Sequence, residues 1–188
     1  WLHTINSMDK RIMSAEDPIE YEMKGINQVQ MRPEIGLDFS STLRTFLRQD
    51  PDVIMVGEIR DKETAEISIR AALTGHLVFS TIHTNDSAAG FTRLLNWGME
   101  PFLITSTVKG ILAQRLVRKL CKECREKHMV EPSELEQFGL EVDEPMEFYK
   151  AVGCLSCRNT GYQGRVGLFE LIKMNCLLYT SDAADDNT

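Results

Sequence analysis

The chain has 188 residues, of which 43% are hydrophobic and 26% are charged, and its formal net charge is −7. This length suits one domain of ordinary size with a small appendix. No apolar run is long enough for a membrane span, no secretory leader opens the sequence, and no basic excess favours a nucleic-acid binder. We therefore expect a cytoplasmic protein with no membrane span and no nucleic-acid partner.

Carboxylates follow the first predicted strand. Residues 10–15 are a strand candidate, and Glu16, Asp17 and Glu20 come next, in a turn that Pro18 imposes. Clustered carboxylates repel one another, so they are costly unless a cation or a water network uses them. Taken alone, the cluster is explained more simply as a solvated acidic turn.

Two further segments precede the central strand. Residues 25–31 predict a strand or sheet edge. Residues 38–48 predict a helix, because their apolar side chains recur on one helical face and Asp38 or Ser40 can cap its start. Arg48, at the end of this helix, reaches the loop before the next strand.

The apolar run from Val53 to Val56 is typical of a strand that is buried on both faces in the middle of a parallel sheet. Glu58 and Arg60 follow at its carboxyl end, where open α/β sheets bind ligands. A hydrophobic strand that ends in a carboxylate has the form of a Walker B element, which manages the magnesium ion and attacking water of a nucleoside triphosphate. A core strand followed by a surface salt bridge is the simpler alternative.

A second helix and strand come next. Asp61 can cap a helix that runs to Thr74, and residues 77–82 predict a second core strand. His76 and His83 flank this strand. Each histidine alone is better explained by a structural role, but the pair suits a site that senses a phosphate.

From residue 86 the sequence predicts mainly helix. One helix is stopped by Gly98, and Pro101 opens a helical region that extends to about residue 120, with a break at Gly110. Because strands and helices alternate over residues 11–120, we expect a three-layered α/β core with a parallel sheet.

Four of the five cysteines form two Cys-x-x-Cys pairs, Cys121 with Cys124 and Cys154 with Cys157. Two such pairs can supply four thiolates to a zinc ion in tetrahedral geometry, and nothing in their surroundings suggests an open catalytic position. We therefore expect a structural zinc ion. Two unmetallated thiol pairs and a redox pair are the alternatives.

The remaining segments surround these pairs. Ser133 and Glu136 have the spacing of a capping box for a short helix between the pairs. Residues 165–172 predict a strand that returns to the main sheet. Residues 175–188 continue no periodicity, so we expect them to be a non-native tail.

Four motifs, in order, resemble those of the bacterial secretion ATPase superfamily. They are the Asp box at residues 14–21, the Walker B region at 47–61, the His box at 74–85, and the segment 113–118 with the four cysteines. The last motif is similar to that of the type II secretion ATPases and type IV pilus assembly ATPases. Residues 88–94 and 116–118 resemble the type II secretion branch more than the pilus assembly branch.

This resemblance implies a domain plan. Residues 1–120 would form a RecA-like P-loop NTPase core truncated on its amino-terminal side, residues 121–158 a tetracysteine zinc-binding module, and residues 159–174 a return to the core. The cofactors would be ATP, Mg²⁺ and Zn²⁺. The protein would be a homo-hexamer at the cytoplasmic face of the inner membrane, with secretion platform proteins of that membrane as partners.

The resemblance also implies catalytic roles. Glu58 would orient or activate the attacking water, and Glu16 would support the network of magnesium and water. Asp17 and Glu20 belong to the same box as Glu16, with less defined roles.

Further roles are implied for basic side chains of the nucleotide site. His76 and His83 would report on the γ-phosphate. Arg60 and Arg48 would contribute to the charged site or to the subunit interface.

One motif is missing. No Gly-x-x-x-x-Gly-Lys-Ser/Thr occurs, so the phosphate cradle and its lysine are absent from the sequence. We therefore expect a fragment of a motor ATPase that does not hydrolyse ATP by itself. The alternatives are a type IV pilus assembly ATPase, a non-hydrolysing ring subunit, and a zinc-ribbon module that binds nucleic acid.

Overall fold

The computed structural model describes residues 2–140 and 142–174, which divide into two compact units. The first unit contains residues 2–113 and 170–174, and the second runs from 114 to 169. The second unit therefore holds all four paired cysteines. The expected non-native tail, residues 175–188, lies outside the described residues.

A four-stranded sheet organises the first unit, with the strand order β2-β1-β3-β4 and parallel pairing throughout. Its strands are β1 (Ile12–Glu16), β2 (Ile26–Gln30), β3 (Val53–Val56) and β4 (Leu77–Ser80). The two inner strands are the most buried, as their apolar sequences predict: Ala15, Ile54 and Val56 have no exposed surface. The predicted parallel α/β core is thus confirmed.

Five α-helices lie in the described part of this unit. They are α1 (Leu2–Ile5), α2 (Phe39–Phe46), α3 (Lys62–Leu73), α4 (Ser87–Asn96) and α5 (Pro101–Thr107). Asp38, Asp61 and Asp86 fix the starts of α2, α3 and α4, because each carboxylate accepts a hydrogen bond from the amide three residues ahead, at 2.8, 2.8 and 2.7 Å. Among the described residues, no helix combines the length and the apolar character that crossing a bilayer requires.

The two faces of the sheet are covered unequally. Because successive side chains of β1 point to opposite faces, Met13 and Ala15 lie on the face that packs against α2, α3 and α5. Most of the buried apolar side chains lie on this face. Ile12 faces the other way, into a smaller cluster with Leu2, Ile26 and Val53. Ser14 and Glu16 share the face of Ile12, because side chains two residues apart point to the same side.

Strand β4 corrects one expectation. The apolar run from residue 77 predicts a core strand, but β4 ends at Ser80 and is the last strand of the sheet within the described part of the chain. Leu77 is accordingly 46% exposed. An apolar run indicates a strand, whereas its burial depends on which neighbours cover it.

The region after α5 corrects two further expectations from the sequence. Helix was expected as far as residue 120, yet the chain forms strand β5 (Gly110–Leu120), which joins β8 (Tyr162–Lys173) in a two-stranded sheet. The strand predicted at residues 165–172 therefore exists, but its partner is β5 and not the main sheet. A Cβ atom on Gly110 would lie 2.9 Å from the Ile172 carbonyl oxygen, so this pairing depends on a close backbone approach that periodicity does not reveal.

Within the second unit, β6 (Glu126–Val130) and β7 (Met146–Lys150) form an antiparallel pair. The predicted short helix between the cysteine pairs is α6 (Pro132–Glu136), but its capping box does not form. Glu131 occupies the N-cap position without a side-chain hydrogen bond, because Pro132 takes the first helical position and places Ser133 inside the helix.

We expect Ile54→Ala to lower the free energy of unfolding of the first unit by about 2–5 kcal/mol, because Ile54 is fully buried in the central strand and its truncation leaves a cavity. Leu73→Ala is the matched control, since Leu73 is 51% exposed. Trp97, which packs against the main apolar cluster, reports unfolding by fluorescence during a urea titration. Equal urea midpoints for the two variants would contradict the burial argument.

Candidate carboxylate site and cysteine cluster

Hydrogen bonds beyond the regular ladder connect the carboxyl ends of β1, β3 and β4. The amide of Gly57 donates to the Ala15 carbonyl at 2.7 Å, and the amide of Ile59 donates to the Thr81 carbonyl at 2.9 Å. The Thr81 hydroxyl in turn donates to the Gly57 carbonyl at 2.7 Å. Because a Cβ atom on residue 57 would lie 3.1 Å from the Ala15 oxygen, glycine lets the loop after β3 lie against the end of β1.

Glu58 is the centre of an ion-pair network at this edge. The guanidinium of Arg60 donates to Glu58 Oε1, and His83 Nε2 lies 3.1 Å from Glu58 Oε2. The Glu58 side chain is only 13% exposed, whereas that of His83 is 84% exposed. The hydrogen bond from Arg60, followed by that from His83, lowers the pKa of Glu58 even though burial opposes the shift. Glu58 is therefore ionised at neutral pH.

Asp17 also acts on this network through charge. The pKa of Arg60 is raised, first by its hydrogen bond to Glu58 and to a lesser extent by the charges of Glu58 and Asp17. Asp17 and Glu20 are both exposed, in the turn that leaves β1. Asp17 thus lies near Arg60, whereas Glu20 has no comparable contact within the described part of the chain.

Glu16, the last residue of β1, is buried and is 6% exposed. Its Oε1 atom accepts two hydrogen bonds, from the Ser14 hydroxyl at 2.6 Å and from Gln28 Nε2 at 2.9 Å. The sequence assigned no individual role to Ser14, which opens the Asp box, or to Gln28. The residue spacing predicts that Ser14 shares a face with Glu16, but Gln28 could be found only from the pairing of β1 with β2.

Two predicted site residues lie away from this edge. His76 precedes β4, and its Nδ1 atom lies 2.9 Å from the Ala71 carbonyl oxygen and 3.1 Å from the Thr74 hydroxyl. The four residues of β4 span about 13 Å at roughly 3.3 Å per residue. Within one chain the structure therefore brings His83, and not His76, to Glu58. The expected role of His76 at the phosphate stays a prediction.

Arg48 also lies at the far end of the sheet. It follows α2 and precedes β3, so it is on the side where the strands begin, and it is exposed. This position separates Arg48 from the carboxylates within one chain. Its expected role at a subunit interface stays a prediction.

The four cysteines of the second unit form a compact cluster in which all Sγ atoms lie within 4.8 Å of one another. The Sγ–Sγ distance is 3.9 Å between Cys121 and Cys154, 3.8 Å between Cys124 and Cys157, and 3.7 Å between Cys154 and Cys157. A tetrahedral zinc ion with Zn–S bonds of about 2.3 Å separates its sulfur atoms by about 3.8 Å. The donor set and its spacing therefore fit zinc.

Backbone amides surround the thiols. Gly153 donates to Cys124 Sγ at 3.3 Å, and Cys154 and Gly161 donate to Cys157 Sγ at 3.1 and 3.2 Å. Burial raises the pKa of Cys124 to about 12, whereas the amide donors outweigh burial at Cys157 and lower its pKa to about 6. Four thiolates this close repel one another, and a divalent cation removes that repulsion.

Comparisons with known proteins agree with this arrangement. A family model described as Type II/IV secretion system protein matches residues 1–181. The Type II secretion system ATPase E of Vibrio cholerae serotype O1 is 49% identical over 171 residues, which are 91% of this chain and 34% of that protein. The Type IV pilus assembly ATPase PilB of Myxococcus xanthus is 52% identical over 174 residues, which are 91% of this chain and 31% of that protein.

A solved structure is also similar. The crystal structure of the pilus retraction motor PilT with bound ADP has a TM-score of 0.65 and 29% sequence identity, covering 98% of this chain and 46% of that one. The predicted RecA-like α/β core is confirmed by this likeness. The chain spans about a third of the length of the curated relatives described above.

We expect Arg60→Ala to raise the pKa of Glu58, because it removes the hydrogen bond that lowers this pKa most. A pKa lowered by folding stabilises the folded chain above the unfolded value of about 4.3, and this stabilisation is lost as the pH falls through the folded value. The difference in unfolding free energy between the wild-type chain and Arg60→Ala should therefore shrink as the pH falls through that window.

The pKa of Glu58 can be measured from the pH dependence of its side-chain carboxyl carbon shift by NMR. Arg44→Ala is the control, because Arg44 pairs with the exposed Glu63 at 2.6 Å and has no contact with Glu58. An unchanged Glu58 titration in Arg60→Ala, or the same shift in Arg44→Ala, would contradict the assignment.

Proposed function

Since the chain belongs to the type II/IV secretion system protein family, we propose that it supplies the carboxylates that handle magnesium and water in an ATP-hydrolysing motor. The observation that carries this proposal is the pair Glu16 and Glu58: Glu16 ends β1, and Glu58 lies two residues after β3, its parallel neighbour, at the same sheet edge. Ligands of open α/β sheets bind at this edge. The relatives named above as ATPases support the same activity.

Glu58 is suited to orient the attacking water. Its lowered pKa keeps it ionised, so it accepts hydrogen bonds and donates none. Arg60 and His83 each occupy one of its oxygens, which fixes the direction of the carboxylate. A carboxylate offers about four acceptor positions, so a water can still bind while both partners stay in place.

Glu16 and Asp17 are suited to the magnesium side of the site. Carboxylate oxygens are preferred ligands of Mg²⁺, which often retains several of its waters in phosphate sites. When bound with ATP, the ion neutralises charge that develops on the phosphates. Glu16 is held by neutral donors and Asp17 is exposed nearby, so one carboxylate is fixed and the other is free to adapt.

For the cysteine cluster we propose a structural zinc ion, held by Cys121, Cys124, Cys154 and Cys157. Cys121 and Cys157 are buried, and backbone amides already stabilise charge on Cys124 and Cys157. All four thiols are engaged with one another, so the geometry suits a closed tetrahedral site with no position for a substrate.

The biological setting is proposed from the family. The intact protein would act as a homo-hexamer, peripheral at the cytoplasmic face of the inner membrane and bound to secretion platform proteins, where it powers pseudopilus assembly in type II secretion. Type IV pilus assembly is the second candidate, because the identities to ATPase E and to PilB, 49% and 52%, favour neither branch.

Activity can be tested in a chimera in which this chain replaces the matching segment of the Vibrio cholerae ATPase. We expect the chimera to hydrolyse ATP and the 188-residue chain alone to be inactive, because its sequence contains no phosphate-binding loop. Glu58→Gln should lower the kcat of the chimera by about 10²- to 10⁴-fold, the usual contribution of a general base. Steady-state phosphate release is the measurement.

Glu63→Gln is the control, because Glu63 lies on α3 with its side chain 58% exposed and paired to Arg44. Full activity of the chimera carrying Glu58→Gln would refute the assigned role of Glu58. Magnesium-dependent turnover by the 188-residue chain alone would refute the expected dependence on a phosphate loop.

For the metal, we expect about one equivalent of zinc per purified chain, as a single four-thiolate site requires. Cys157→Ser should release it, whereas Cys176→Ser, outside the described residues, should retain it. Elemental analysis gives the metal content, and chelation should lower the unfolding temperature of the wild-type chain. Chains that fold fully without metal would argue for free thiol pairs.

A further inference from the structure

We propose that Gln28 is a positioning residue that fixes both Glu16 and the turn following it. The side chain of Gln28 makes three hydrogen bonds: Nε2 donates to Glu16 Oε1 and to the Tyr21 carbonyl, each at 2.9 Å, and Oε1 accepts from the Met23 amide at 2.6 Å. The consequence for catalysis rests on the function proposed above, whereas the hydrogen bonds themselves do not.

The pairing of β1 with β2 explains why Gln28 reaches Glu16. Ser14 is the register partner of Gln28, and Glu16 lies two residues further along β1, on the same face of the sheet. The side chain of Gln28 therefore lies beside both residues. Its neighbour Asn27 points to the opposite face and is exposed.

The orientation of the amide is determined by its neighbours. A backbone N–H can only donate, so the Met23 amide must face the oxygen of Gln28. The nitrogen then faces Glu16 and Tyr21, whose oxygens can only accept. Both N–H groups and the oxygen of Gln28 are thus used, and no other side chain of this length supplies two donors and one acceptor in a neutral group.

This arrangement determines which oxygen of Glu16 is available. Ser14 and Gln28 both donate to Oε1. The donors that the structure places on Glu16 both use Oε1, and no fully buried side-chain oxygen or nitrogen of the described residues lacks a partner, so Oε2 retains accessible surface. Gln28 thereby presents one oxygen of a buried carboxylate to the sheet edge where magnesium and its waters would bind.

The same side chain holds the turn in place. Tyr21 and Met23 lie in the segment between β1 and β2, and this segment also carries Asp17, whose charge acts on Arg60. Tyr21 is 80% exposed, so its side chain contributes little packing. Gln28 therefore connects a buried carboxylate, the acidic turn and, through Asp17, the network around Glu58.

The first test uses the chimera described above. Gln28→Glu has nearly the same shape but removes both donors and places a second negative charge beside Glu16. Loss of a residue that orients a metal-site ligand typically costs 10- to 100-fold, so we expect the Mg²⁺ concentration for half-maximal rate to rise by about that factor. The KM for ATP at saturating Mg²⁺ should change little, which separates this effect from a general loss of structure.

Two variants complete the set. Asn27→Asp makes the same amide-to-carboxylate change on the opposite face and should leave the Mg²⁺ requirement unaltered. Ser14→Ala removes the other donor to Glu16 without touching the turn, so it should raise the Mg²⁺ requirement while the Met23 amide stays protected.

The second test uses the 188-residue chain itself. Gln28→Leu removes the acceptor of the Met23 amide, whose hydrogen exchange should become faster, whereas Asn27→Leu should leave that exchange unchanged. If the wild-type chimera is inactive, the proposed function fails, but the exchange result still decides whether Gln28 holds the turn. An active chimera in which Gln28→Glu and Asn27→Asp have the same Mg²⁺ requirement would overturn the proposal.

Discussion

The parallel pairing of β1 with β3 is the constraint on which the site depends. Because the two strands run in the same direction, the chain leaves both of them at one edge, and the residues that follow must lie close together. The hydrogen bond from the Gly57 amide to the Ala15 carbonyl extends this pairing beyond β3. Glu16 and Glu58 therefore lie at the same sheet edge because of the strand pairing, although the repulsion between their charges opposes a close approach.

The two carboxylates are held in different ways, and the difference suits different tasks. Glu58 is balanced by the cationic Arg60 and by His83, so its charge is stabilised in the folded chain. Among the described residues, the donors to Glu16 are the neutral side chains of Ser14 and Gln28, and no cation pairs with it. A carboxylate without a cationic partner favours a metal ion and its waters. A carboxylate that is already paired with a cation is better suited to orienting a neutral water.

The sequence predicted what local patterns encode. The apolar run of β3, the aspartate caps of α2 and α3, and the cysteine spacing each follow from short-range chemistry. The edge position of β4, the strand β5 and the distance between His76 and Glu58 depend on which segments cover or pair with one another. Gln28 was missed for the same reason, because its three partners are brought to it by the register of β1 and β2 and by the path of a turn.

The second unit is stabilised by a different kind of core. Within its described residues the buried side chains are those of Cys121, Leu135 and Cys157, so two of the three belong to the cysteine cluster. The β6–β7 pair contributes little apolar burial, since Phe148 and Met146 are 38% and 43% exposed. So small an apolar core does not offset the conformational entropy of ordering these residues. Bonds from four thiolates to one cation would replace it, because a metal that binds only the folded chain adds its binding free energy to folding. The cluster is therefore best understood as the core of this unit.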